Sequence, residues 1–321
     1  MQMRLISLEP AAEKLCLQRK NVFVPTTIGL TVLREQLKFE QQQPVYIHPV
    51  KFRDLEVPLS PKLGSLPVRL YFPDNLKPNE KVPTIFYIHG GQFITGGIFS
   101  HDKLLRELVY RTHATVVFPQ YALAPEQKAP FQLQQLAECF LKLPELSKQN
   151  PLSLQRLLLV GDDVGGGMAV CLAIELLQKQ LAFPIYKLLL FYPVCNANFE
   201  TSSYHQFAGG YDLTREQMKW CWQQYLATAK QKVDVHYCPL LATFAQLQQL
   251  PETLIITAEA DPTRDEGEAL ARKLRDAGGH VAQIRFQGII HDFVTKNQLD
   301  KTNACRLAMN IAVDWLKKRS K

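Results

Sequence analysis

One stretch limits the folds open to this chain more than any other: Arg156-Leu157-Leu158-Leu159-Val160-Gly161-Asp162-Asp163-Val164-Gly165-Gly166-Gly167. A short apolar run with strand character meets a turn crowded with small residues, and the helix-forming run Met168 to Gln180 follows directly. That is the strand–turn–helix layout of a nucleophile elbow, G-x-S-x-G, in which the chain bends so sharply that its apex residue stands above the sheet edge. Glycine permits the close backbone approach that a Cβ would obstruct. The apex of this elbow is Asp163, where the pattern has Ser.

The rest of the chain supplies a sheet for such an elbow. Val50–Val57 and Val68–Phe72 alternate and read as early strands. Thr84–Ile88 and Ala114–Phe118 are continuous apolar runs, as expected of strands buried on both faces. Tyr186–Tyr192, Thr253–Thr257 and Val281–Phe286 follow. Helical spacing covers Leu104–Arg111, Gln132–Leu143, Glu266–Ala277 and Thr302–Lys317. Strands alternating with helices predict an α/β fold built on a mainly parallel, doubly wound sheet.

Two segments fall outside the alternation. Residues 1–45 are polar with helical spacing, clearest at Val32–Phe39 and punctuated earlier by Pro10 and Pro25. Between about 195 and 250 lies helical material carrying Trp220, Trp222 and Tyr225 on Gln217–Leu226. An insertion after a strand is natural material for a lid over the strand ends, and with residues 1–45 it makes a cap on a main domain of residues 46–321. Each aromatic has an equally simple role in packing the insertion onto the body.

Composition narrows the class. A chain of 321 residues, 46% of them hydrophobic, is long enough to bury a sizeable core. Its net charge of +7 is scattered, and the densest basic cluster, Lys317 to Lys321, reads as a solvated tail because no nucleic-acid motif accompanies it. The 7 cysteines are widely spaced with no C-x-x-C pair, which argues for reduced thiols and a cytoplasmic location. No apolar run approaches membrane-spanning length, and the amino terminus lacks a signal-peptide apolar core.

Three further stretches fall at predicted strand ends, in an order that would bring them to Asp163. His89-Gly90-Gly91-Gln92-Phe93 follows the Thr84–Ile88 strand and exposes backbone N–H donors of the kind that stabilise an oxyanion; the N–H of Val164 would add another. Asp261 follows the Thr253–Thr257 strand, where such folds keep the acid that orients a histidine. Its neighbours Asp265 and Glu266 suit a helix amino terminus and read as structural. His291, in Gly288-Ile289-Ile290-His291-Asp292-Phe293, lies in a loop after the last strand. The order apex, Asp, His is that of an α/β-hydrolase.

On these segments the chain resembles the hormone-sensitive-lipase-like, or bacterial type IV, carboxylesterases of the α/β-hydrolase fold. The resemblance covers nearly the whole chain: His89-Gly90-Gly91, Tyr121 to Glu126, the elbow, Asp261 to Gly267, Ile290 to Phe293, and the insertion at Leu213-Thr214, Met218, Trp220, Trp222 to Leu226 and Pro239-Leu240. It implies a capped fold and a catalytic set of apex residue, Asp261 and His291. It also implies an oxyanion hole from Gly90, Gly91 and Val164, and hydrolysis of short to medium acyl esters under the cap with no cofactor and no metal. A homodimer follows by analogy only. Gln92 stands where a third small residue is common and Ala122 where Arg is usual; both are tolerable departures.

Asp163 is a departure of another kind. A carboxylate attacking an ester carbonyl would form an anhydride and expel an alkoxide, which is strongly uphill. Three readings are open. The centre is silenced and the protein binds a small ligand or partner. Or Asp163 attacks a saturated carbon of a haloalkane or epoxide, with His291 activating water against the alkyl-enzyme ester. Or Asp163 is an introduced substitution in an active esterase.

Overall fold

The computed structural model describes residues 6–19, 30–181 and 183–318. Pro25 and the Arg319 to Lys321 end of the basic cluster lie outside the described residues. In chain order the elements are α1 (Pro10–Gln18), α2 (Leu30–Gln41), β1 (Lys51–Pro58), β2 (Ser65–Phe72), β3 (Val82–Ile88), α3 (Ile98–Thr112), β4 (Thr115–Pro119), α4 (Phe131–Leu141), α5 (Leu143–Gln149), β5 (Leu152–Asp162), α6 (Asp163–Gln178) and β6 (Ile185–Phe191). There follow α7 (Ser202–Gln206), α8 (Arg215–Tyr225), α9 (Phe244–Gln248), β7 (Glu252–Ala260), α10 (Arg264–Asp276), β8 (Val281–Ile290) and α11 (Asn303–Lys317).

The eight strands form one sheet in the order β1-β2-β4-β3-β5-β6-β7-β8. β2 is antiparallel to both its neighbours, and every later pairing is parallel. Apolar runs without alternation fit this position, because both sheet faces are covered. Phe86 and Ile88 of β3, with Leu157 and Leu159 of β5, join the core under α4, α6 and α10. Ile85, Tyr87, Leu158 and Val160 point the other way, into a second core with α3 and α11. The period-2 pleat thus divides one apolar run between two cores.

Strand register sets up the site. Ile88 of β3 pairs with Gly161 of β5, which brings the turn after β3 beside the elbow. Ala260 of β7 pairs with Ile290 of β8, which places Asp261 beside His291. Several boundaries differ from the sequence expectation. Pro10 opens α1, where its missing N–H costs nothing, rather than interrupting a segment. α6 begins at Asp163, five residues before Met168, so the three glycines are helical. β8 runs on to Ile290.

Among the described residues no helix is long and apolar enough to cross a membrane. All 7 cysteines are free and buried.

Candidate active site

The elbow bends at one residue. Asp163 has φ 49°, the left-handed region that costs a residue with a Cβ, and such strain persists only where its surroundings hold it. Small neighbours make the bend feasible. A Cβ on Gly165 would lie 2.2 Å from the Ile88 carbonyl oxygen, and one on Gly161 would lie 2.5 Å from the Gly165 oxygen. The Val194 N–H donates to the Asp163 carbonyl at 2.9 Å and fixes the far side of the turn.

The Asp163 side chain is fully buried. Its Oδ2 accepts the N–H of Gly91 at 2.9 Å, the N–H of Gln92 at 2.7 Å and the Gln92 side-chain amide at 3.2 Å. Gly91 and Gln92 both have positive φ, 108° and 51°, and their N–H groups converge on one oxygen. The Thr95 N–H and hydroxyl both donate to the Gly91 carbonyl, each at 2.9 Å, and hold this turn. Gly90 departs from the sequence expectation: its N–H donates to Asp162 Oδ1 at 3.0 Å, so the donor pair at the apex is Gly91 and Gln92, one residue further along. Val164 is buried in the first turn of α6, beside the apex.

Asp261 and His291 meet at the neighbouring strand ends. His291 Nδ1 lies 2.7 Å from Asp261 Oδ2, while Asp261 Oδ1 accepts the N–H and hydroxyl of Thr263 at 2.8 and 2.9 Å. Thr263 thereby sets the carboxylate, and the carboxylate sets the imidazole with its proton on Nδ1. His291 Nε2 stands 3.3 Å from Asp163 Oδ1 and 3.5 Å from Asp292 Oδ1. The contact with Asp163 is close but out of line, and neither Asp163 Oδ1 nor His291 Nε2 makes a hydrogen bond. Burial works against a charged imidazole, yet Asp261, Asp292 and Asp163 together outweigh it and raise the His291 pKa well above its ordinary value. The four sequence-singled groups Gly91, Asp163, Asp261 and His291 therefore form one connected centre.

Sequence reasoning missed a second buried pair behind the elbow. His101 Nε2, on α3, faces Asp162 Oδ1 at 3.1 Å, and the Tyr87 hydroxyl donates to the same oxygen at 2.8 Å. Burial disfavours the charge on His101, but Asp162 prevails and its pKa is raised. The one sequence signal was the polar residue Asp162 at the end of an apolar strand. His89, the other histidine nearby, stacks on Tyr121 with ring centroids 4.2 Å apart, and burial pushes its pKa down to about 3. It is neutral and aromatic in role. Glu266, buried, accepts the Cys195 N–H at 2.8 Å and the Tyr204 hydroxyl at 3.0 Å, and Asp265 accepts the Ser203 N–H at 2.7 Å. Both acids brace the insertion, as their place at a helix start implies.

A cavity of about 470 Å³ opens beside this centre. Arg19, just past α1, and Leu33, Leu37 and Glu40 of α2 form one side; residues 209–217 contribute Asp212 and Gln217; the body contributes Gly91, Gln92, Asp292 and Lys296. Of the insertion aromatics, Trp222 and Tyr225 pack on Phe93 of the donor turn, Tyr225 stacked at 3.8 Å and Trp222 edge-on at 5.0 Å. Their packing role thus also steadies the turn that carries Gly91 and Gln92. Among the described residues no group of His, Cys, Asp or Glu has the arrangement of a metal site.

Comparison with known proteins gives a consistent picture. The family described as alpha/beta hydrolase fold matches residues 85–295. Vegetative-specific protein H5 of Dictyostelium discoideum is 37% identical over 78% of this chain and 75% of its own length. An ethyl acetate hydrolase of Pseudomonas putida is 34% identical over 72% of each chain. The solved structure of a thermostable esterase from Pseudomonas putida superposes with TM-score 0.92 at 31% identity, covering 97% of both chains.

Proposed function

Because the chain belongs to the α/β-hydrolase fold family, with esterases among its relatives, we propose that its centre is that of an ester hydrolase in which Asp163 silences serine-type acyl transfer, leaving a site that binds a small molecule beneath a cap. The cap in this reading is α1 and α2 together with the insertion of about residues 195–250. Asp261 and His291 keep the geometry of an acid–base pair, and Gly91 and Gln92, with Val164 beside them, are the oxyanion donors.

One observation carries the proposal. Asp163 Oδ2 sits on the two backbone N–H groups that a substrate oxyanion would need, while Oδ1 faces His291. The apex carboxylate supplies its own anion to the hole, and the raised His291 pKa keeps the general base protonated. The protein should therefore show no His291-dependent hydrolysis of p-nitrophenyl acetate, and Asp163→Ser should gain it. Rates for both, each with and without His291→Ala, decide the matter. Turnover by the parent that His291→Ala abolishes would overturn the reading.

A second reading has its own support: Asp163 Oδ1 makes no hydrogen bond, as a nucleophilic oxygen would require. Oδ1 would displace halide from a saturated carbon, or open an epoxide, giving an alkyl ester of Asp163. A neutral His291 would then take a proton from water as the hydroxide attacks the ester carbon and the alcohol leaves. Full burial of Asp163 and a protonated His291 both oppose this sequence. Intact mass after incubation of His291→Gln with a bromoalkane reads it directly, because the alkyl ester would accumulate; no added mass is expected. Light scattering on the purified protein tests the homodimer that family analogy adds.

A further inference from the structure

The walls of the cavity carry charge that does not balance. Arg19 pairs with both Glu40 and Asp212, and Lys296 Nζ lies 3.0 Å from Asp212 Oδ2. Those two cations and two carboxylates satisfy one another. Asp292 is left over: it is 3.8 Å from Lys296 and 3.5 Å from His291 Nε2, and both of those groups already have closer carboxylate partners. Behind the wall, His291 lies between Asp261 and Asp163, and His101 faces Asp162. Among the described residues, the cavity and the groups behind its wall therefore hold more carboxylates than cations even with both imidazoles charged.

Two further observations direct that surplus at a ligand. Asp292 lines the cavity with its side chain partly open, at 18% exposure, whereas Asp163 and His291 are fully buried and do not line it. Beside the paired wall acids Glu40 and Asp212, the acid that an entering molecule can reach is Asp292, not the apex. Behind the wall, Asp163 Oδ1 faces His291 Nε2 at 3.3 Å and makes no hydrogen bond. It is tied to the cavity wall through Gln92, whose amide bonds the other oxygen of the same carboxylate. The wall also carries apolar side chains, Leu33, Leu37 and Ile94. A volume of about 470 Å³ suits a small organic molecule.

We infer that the cavity takes a small ligand bearing a basic nitrogen, with the Asp292 carboxylate as counter-ion to its ammonium group and Leu33, Leu37 and Ile94 against its apolar part. The inference rests on the reading of the cavity as a ligand site and adds the ligand's chemical class. An ammonium group would meet the surplus negative charge and donate charge-assisted hydrogen bonds to Asp292. A carboxylate ligand would add to the surplus and meet Asp292 unpaired.

The test is an NMR titration of the full-length protein with three probes of one size, hexylammonium, hexanol and hexanoate, followed on residues lining the cavity. Hexylammonium should bind on the order of tenfold tighter than hexanol, and hexanoate more weakly than either. Asp292→Asn should bring hexylammonium to within about threefold of hexanol while leaving hexanol itself unchanged. The comparison among probes needs only the parent protein, so it stands even where the variant fails to fold. Binding of hexanol with no preference for the ammonium overturns the inference and leaves the ligand site standing. A preference for hexanoate does the same. Binding of none of the three overturns the inference together with the ligand-site reading.

Discussion

Asp163 alters the chemistry of its neighbour as much as its own. In the folded protein three carboxylates, those of Asp261, Asp292 and Asp163, surround His291 and hold its pKa well above the ordinary 6.5, against the effect of burial. Because the folded value is raised, the contribution of this histidine to stability is fully present below its unfolded value and is lost as pH rises through the folded one. Replacing Asp163 by Ser removes one of the three anions. The midpoint of His291, followed by NMR of its ring protons, should therefore fall in Asp163→Ser, and the stability it lends should be lost at lower pH than in the parent. An unchanged midpoint would mean that Asp261 and Asp292 alone set the charge, and that Asp163 does not lock the imidazole. The same shift bears on activity. A general base has to be neutral, so hydrolysis by Asp163→Ser should rise with pH through the lowered His291 value.

At the scale of elements, the elbow depends on β3, β5 and α6 approaching more closely than side chains allow. Gly165→Ala would drive a Cβ to 2.2 Å from the Ile88 carbonyl oxygen and 2.4 Å from that of His89. Both are backbone atoms that cannot swing away, so the melting temperature should fall by on the order of 5 °C or more. Gly209→Ala, with nothing within 4 Å of the new methyl, should leave it within about 1 °C. Equal effects at the two positions would show that the close approach is not what holds the turn. These elements also mark how far the sequence could be read. The buried strands, the insertion and the three strand-end motifs were legible because apolar runs, turn residues and spacing are local signals. The start of α6 was not: Gly165 to Gly167 read as turn, and tertiary packing overrides their poor helix propensity. The offset from Gly90 to Gln92 arises from three successive positive φ angles, at Gly91, Gln92 and Phe93, which spacing cannot reveal. His101 and Asp162 were invisible as a pair because they lie 61 residues apart and meet only once α3 packs behind β5.

Across the whole molecule, what holds the two cores together differs from what holds α2 in place. The sheet and its flanking helices pack through two apolar cores, whereas α2 buries none of its residues and touches the body through polar groups and the edges of Leu30 and Leu33. Arg34 anchors its first half. It donates to the Ile94 carbonyl at 2.9 Å, the Ala124 carbonyl at 3.2 Å and both oxygens of Glu126 at 2.6 and 2.9 Å. Gln41 adds bonds to Ser100 and Thr295 at the other end. The same α2 forms one wall of the cavity. A helix fastened by a few charge-assisted bonds can open without unfolding what lies beneath it. Arg34→Ala should raise hydrogen exchange of residues 30–41 on the order of tenfold, while exchange in β3, β5 and β6 and the melting temperature stay close to the parent's. A matching loss of protection in the central strands would mean that α2 belongs to the cooperative core. Unchanged exchange in 30–41 would mean that the apolar edges of Leu30 and Leu33 hold the helix, and that Arg34 serves to shape the Ile94–Glu126 surface below.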